Sequence, residues 1–193
     1  MNPLTRSDLM SLEAYSEQRD EFRNKVIQHK KNRTIPLGPS MMMYFEDRLT
    51  MQYQVQEMLR IEKIFDAAGI QEELDAYNPL IPDGGNWKAT QMIEFADPEV
   101  RAVELTKLVG IEKQTWVQVG DSDKVFAIAD EDLERENDEK TSSVHFMRFE
   151  LTPEMVAAAK SGAPIKLGVS HPNYSHEVVL TEPQRESLVA DLA

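Results

Sequence analysis

A strand pattern that runs without a spacer into a helix pattern constrains this chain more than any other feature. Met41 to Phe45 form a short apolar extended run, Glu46-Asp47-Arg48 follows at once, and from Leu49 the apolar residues recur at helical spacing. Charged side chains therefore fall where a strand ends and a helix begins, and a polar cluster is expected there. The helix carries Gln52, Gln54, Gln56, Glu57, Arg60 and Glu62 beside an apolar face that includes Met51, Val55, Met58, Leu59, Ile61 and Phe65. Glu57 lies three residues from Arg60 and four from Ile61, so its face is not purely solvated. A partly buried carboxylate needs partners; Arg48 and Arg60 are nearest in sequence, and Glu46 and Asp47 can complete a network. That network either fixes the helix on a sheet or lines a ligand or acid/base pocket.

The elements around this junction place it in an α+β domain. Residues 4–31 read as helical hairpin material: Thr5 and Asp8 have capping spacing, and Leu9, Leu12, Tyr15, Phe22 and Val26 repeat at three or four residues. Arg19, Arg23, Lys25, Lys30, Lys31 and Arg33 make a local basic surface, read as a solvated helix face. Thr34 to Leu37 pairs with Met41 to Phe45 across Gly38-Pro39-Ser40. The helix from Leu49 extends to about Ala67, with Gly69 as its stop. Tyr77 to Gly85 is an ordered loop, because two prolines and two glycines break any regular element there. Beyond it the period turns mostly alternating: a strand from Lys88 to Phe95, a helix opened by Pro98 and closed by Gly110, and a hairpin of Thr115 to Val119 with Lys124 to Ala129. Asp130 to Glu139 is rich in carboxylates and lacks the glycine and terminal glutamate of a calcium loop, so it reads as a solvated connection. A strand from Ser143 to Leu151, a helix from Thr152 to Lys160, a hairpin of Ile165 to Val169 with Glu177 to Leu180, and a helix from Thr181 to Leu192 complete the chain.

Strands that come as hairpins rather than in strict βαβ alternation predict an antiparallel or mixed sheet packed against the long helix. The expected organisation is a single domain, 1–193, with an N-terminal helical segment over 1–31 and an α+β body over 32–193.

Composition narrows the chemistry. A net charge of -13 repels phosphate backbones and anionic lipid, which argues against nucleic-acid and membrane roles. No apolar run approaches the length of a membrane span, the N-terminus lacks a leader pattern, and a cytoplasmic location is expected. The absence of cysteine removes disulfides, thiolate metal sites and cysteine nucleophiles. His29, His145, His171 and His176 show no metal-ligand spacing, and no glutamate precedes a histidine by three residues in a helix as a di-iron bundle requires. No metal site or cofactor is assigned; a site built from distant carboxylates with His145, His171 or His176 stays an open alternative. His171, in a Pro-containing turn, is the best histidine for a polar contact or proton transfer. Neither a serine-nucleophile motif nor a phosphate loop is present.

With those residues in place, the chain resembles a bacterial family known as domain of unknown function 3501. The stretches KKNRTIPLGP, FEDRLTMQYQVQEMLRIEKIFD, ELDAYNPLIP, ATQMIEF, HFMRFEL, LGVSHPNY and SLVADL carry the resemblance across nearly the whole length. Matching positions include Phe45, Glu46, Asp47, Arg48, Gln54, Gln56, Glu57, Met58, Arg60, Tyr77, Asn78, Pro82, His171, Pro172 and Tyr174. The resemblance implies genes found beside a rubrerythrin and a heterodisulfide-reductase-like iron–sulfur oxidoreductase, and hence an accessory role in peroxide or redox metabolism.

The leading expectation is an accessory protein without catalysis of its own that binds an iron–sulfur oxidoreductase or rubrerythrin-type partner. The alternative is a small-molecule-binding protein or enzyme. Its pocket would lie at the FEDR junction, with Glu46 or Glu57 as base or ligand, Arg48 or Arg60 as anion clamp and His171 as proton carrier, near Tyr77, Asn78 and Tyr174. A homodimer is the base-rate expectation for oligomeric state.

Overall fold

The computed structural model describes residues 2–131 and 139–193. Ser11 caps α1 (Leu12–Lys30) by accepting the Ala14 N–H, and a reciprocal Thr5–Asp8 cap opens a short 3-10 turn, Arg6–Asp8, ahead of it. The hairpin expected over 4–31 is thus one turn and one continuous helix, since neither glycine nor proline interrupts 12–30.

β1 (Thr34–Pro36) and β2 (Met41–Glu46) pair antiparallel, as expected, around Gly38, whose φ of 77° needs glycine. α2 (Arg48–Glu62) begins where the charged triplet put it: the Asp47 carboxylate accepts the Thr50 N–H and the Thr50 hydroxyl accepts the Asp47 N–H. The helix ends earlier than the apolar spacing indicates. Lys63 turns left-handed at φ 57°, and Asp66 caps a new helix, α3 (Ala67–Tyr77). Gly69 is therefore no stop; it lies in the first turn of α3 and donates its N–H to Asp66.

β3 (Asn86–Ile93), α4 (Pro98–Lys107) and β4 (Thr115–Val119) follow the expected order, α4 being capped by Asp97. The segment expected as one strand over 124–129 divides. β5 (Val125–Phe126) pairs with β4, whereas β6 (Ile128–Ala129) crosses to pair with β7 (Val144–Glu150). Most of the acidic run 130–139 lies outside the described residues. α5 (Pro153–Lys160) precedes β8 (Ile165–His171) and β9 (Tyr174–Val179), a hairpin whose strands continue up to the turn at Pro172 and Asn173, beyond the expected bounds. The last helix, α6, is Glu182–Val189.

The α+β reading holds, with every pairing antiparallel. The strands form a five-stranded sheet, β1-β2-β3-β7-β6, and a four-stranded sheet, β5-β4-β8-β9. Their inner faces share one apolar core, in which Met43, Phe45, Trp87 and Phe149 of the first sheet join Val117, Leu167 and Val169 of the second. The apolar stripe of α2 (Met51, Val55, Leu59) builds a second core with Leu74 of α3, Leu4 and Ile81, and the helix reaches the larger sheet through its first turn. That leaves the outer face of the five-stranded sheet half-covered: Met42, Tyr44, Lys88, Met92, Phe146 and Arg148 alternate with the core residues and stay partly exposed.

Candidate functional site

The strand-to-helix junction is a cross-linked polar cluster, and its centre is Arg33 of the α1–β1 connection. This side chain, 1% exposed, donates to the Phe45 and Glu46 carbonyls, to the Ser187 carbonyl and to Asp191 Oδ2 at 2.5 Å. Asp47 lies 3.6 Å from the same guanidinium and receives His29 Nε2–H at 2.5 Å. Burial alone would raise the Asp47 pKa, but His29, Arg33 and the Thr50 N–H together hold it below the usual carboxylate range. Burial wins at Asp191, whose pKa is pushed up to about 6 despite Arg33. Glu46, also buried, accepts from the Thr50 hydroxyl at 2.7 Å and the Thr90 hydroxyl at 3.0 Å.

A second group of contacts fastens the N-terminal segment to α2 and α3. Glu57 accepts from Arg19 at 2.7 and 2.9 Å, from the Tyr15 hydroxyl at 2.7 Å and from Arg60 at 3.2 Å. Arg19 foremost among these donors lowers its pKa to about 2. Arg48 pairs with Asp8 at 2.6 Å. The Asn78 amide brackets the backbone of Leu4, accepting its N–H and donating to its carbonyl, and Gln56 does the same at Met10. The Gln54 side chain takes part in no hydrogen bond among the described residues.

His171 and Tyr174 belong elsewhere, at the tip of the β8–β9 hairpin. His171 Nε2–H donates to the Val109 carbonyl and its Nδ1 accepts the Asn173 N–H, so both ring nitrogens brace turns. Tyr174 donates to the Leu37 carbonyl, accepts the Ser40 N–H and meets the His176 ring edge to face at 4.6 Å. His145, fully buried, has Nδ1 2.5 Å from Asp130 and Nε2 2.9 Å from the Thr141 hydroxyl. Among the described residues no group of three His, Asp or Glu side chains converges as a metal site.

The structure therefore gathers Glu46, Asp47, Arg48, Glu57, Arg60 and Asn78 along one seam but engages each of them there, and it places His171 and Tyr174 on the other sheet. Tyr77 departs from this pattern. Its side chain lines a cavity of about 460 Å³ between the end of α3 and the outer face of the five-stranded sheet. Pro79, Leu80 and Phe146 supply apolar wall; Lys88, Arg148 and Glu131 supply charge.

Lys88 is the residue that sequence reasoning missed. It sits on the central strand in register with Glu46 on one side and Arg148 on the other. Glu131 grips Arg148 at 2.8 and 2.9 Å, and Glu150 pairs with it too, whereas the Lys88 ammonium has neither a hydrogen bond nor an ion pair among the described residues. Desolvation, followed by the nearby Arg148 charge, lowers its pKa below the ordinary lysine value. The sequence signal was a lysine between Trp87 and Ala89 near the start of a strand, but only the register shows that its opposite number Glu46 is engaged by hydroxyls. Arg33, expected on a solvated basic helix face, lies beyond α1 and is buried instead, and like Asp191 and His29 it escaped as a site residue because its contacts span distant parts of the chain.

Residues 3–192 match a family described as Protein of unknown function (DUF3501). Over its full length the chain is similar to the crystal structure of a novel protein of unknown function from Burkholderia pseudomallei K96243. The two are 49% identical, the match covers 100% of each chain, and the TM-score is 0.94. No curated protein matches.

Proposed function

The chain belongs to the DUF3501 family, and on that footing we propose that it is a cytoplasmic accessory protein that binds and supports a redox enzyme, of the iron–sulfur oxidoreductase or rubrerythrin type, without turnover of its own. One observation carries this reading: the acidic, basic and amide groups at the FEDR junction are committed to one another and to the backbone, as in a scaffold held rigid. A group that must accept or deliver a proton needs an open face toward substrate, and the Glu57 carboxylate is already held by Arg19, Tyr15 and Arg60. The absence of cysteine leaves electron carriage to the partner. A net charge of -13 favours docking against a basic patch and makes the association sensitive to salt.

The alternative pocket of Glu46, Glu57, Arg48, Arg60 and His171 draws less support, because His171 lies on the four-stranded sheet, apart from the other four on β2 and α2, and all five are already engaged. Anaerobic affinity purification from a native extract under reducing conditions, with mass spectrometry of what co-elutes, tests the accessory role. Recovery of an iron–sulfur oxidoreductase or a rubrerythrin, released by added salt, supports it. Recovery of neither overturns it.

A further inference from the structure

Two residues lining the cavity beside α3 have side-chain polar groups with no partner among the described residues: the Lys88 ammonium and the Tyr77 hydroxyl. Every other charged or polar group there is engaged: Arg148 with Glu131 and Glu150, and Asp75 with the Gln71 amide. We propose that Lys88 and Tyr77 form a binding site for a small monocarboxylate with an apolar body, such as an aryl or short acyl carboxylate.

Three features select that class. A half-buried ammonium with no counter-ion gains most from an anion delivered with its own apolar cover, because a charge-assisted hydrogen bond formed out of water is stronger than one at the surface. The volume of about 460 Å³ is in the range of small-ligand sites, and the wall of Pro79, Leu80 and Phe146 matches a ring or a short chain. Charge bookkeeping then limits the anion to one negative charge. Arg148 is neutralised by Glu131 and Glu150, Asp75 stands at the rim, and Glu46 lies directly across the strand pair from Lys88. A phosphate dianion would meet one free cation and several carboxylates. The lowered pKa of Lys88 fits an ammonium that lacks its anion. This inference concerns a different surface from the FEDR junction and does not depend on the identity of a protein partner.

The test is titration of the full chain with sodium benzoate, benzyl alcohol and inorganic phosphate, followed by heteronuclear NMR or calorimetry. Benzoate is expected to saturate, with shifts confined to Lys88, Tyr77, Phe146 and their neighbours, and benzyl alcohol and phosphate to bind at least about tenfold more weakly. Lys88→Met should lower benzoate affinity by about tenfold or more while leaving the melting temperature unchanged or higher, since it removes an unpaired charge and keeps the apolar stem. Tyr77→Phe should lower the affinity severalfold. Benzoate that fails to saturate, or binds no better than benzyl alcohol, overturns the proposal, as does unchanged affinity in Lys88→Met. Phosphate binding as tight as benzoate overturns the monocarboxylate class. If Lys88→Met does not fold, the three-ligand comparison on the wild-type chain decides alone.

Discussion

Arg33 and Asp191 stand 158 residues apart in sequence and meet at 2.5 Å in the interior, joining the chain's C-terminal residues to the strand that feeds α2. The same guanidinium holds the Phe45, Glu46 and Ser187 carbonyls, so one side chain organises the end of β2, the start of α2 and the last turn of α6. Trp87 reinforces that closure by donating its indole N–H to the Leu188 carbonyl.

Replacing Arg33 with Met should destabilise the protein by about 3–5 kcal/mol, because it strands a buried carboxylate and several carbonyls. Asp191→Asn should cost much less, about 1 kcal/mol, since burial already disfavours the Asp191 charge. Urea unfolding of both variants measures the difference; a loss below about 1 kcal/mol for Arg33→Met would show that water takes over its contacts.

Glu57 gives α1–α2 docking a defined pH dependence. Its pKa falls from 4.5 to about 2 on folding, so its stabilisation is fully present above pH 4.5 and is lost as pH falls toward 2. Glu57→Gln should lower stability by about 2–3 kcal/mol at pH 7 and converge with the wild type near pH 2. Unfolding curves at a series of pH values read the convergence, and a constant gap across that window would rule out the ionised Glu57 as its source.

Asn78→Ala removes both amide contacts to Leu4, which is buried in the smaller core. The expected loss is about 1–2 kcal/mol, concentrated in the N-terminal segment. Amide exchange should speed up over residues 4–10 and stay unchanged in β3 and β7. Uniform acceleration across the chain would instead mean that this segment and the sheets unfold as one unit.

Gly168→Ala tests the packing of the four-stranded sheet. A Cβ there would lie 2.1 Å from Trp116 Cζ2, so the indole must move and lose its hydrogen bond to the Ser170 hydroxyl. Destabilisation of about 1–3 kcal/mol is expected, with a changed tryptophan emission spectrum. A variant with wild-type emission and stability would show that the sheet yields without displacing Trp116.

Local sequence rules located the elements where a single side chain dictates the backbone. The charged triplet after Phe45 marks the start of α2, Pro98 begins α4, and Thr152 with Pro153 begins α5. They missed the end of α2, because its apolar spacing continues into Ile64 and Phe65 while the backbone at Lys63 turns left-handed. They also missed the division of 124–129, where neighbouring strands of different sheets compete for the same short segment.

By itself, then, the sequence determined the α+β class, the starts of α2, α4, α5 and α6 and the presence of a polar cluster after Phe45, all of which rest on interactions within a few residues. The tertiary structure decided what that cluster does. Whether a carboxylate is open or engaged depends on donors brought from other elements: Arg19 for Glu57, Arg33 for Asp191, and Thr50 and Thr90 for Glu46. It likewise decided that the Lys88 ammonium lacks a partner among the described residues. Opposite charges on adjacent strands suggest an ion pair, but hydrogen bonding is directional and local, and the Thr50 and Thr90 hydroxyls hold the Glu46 oxygens that could have received it.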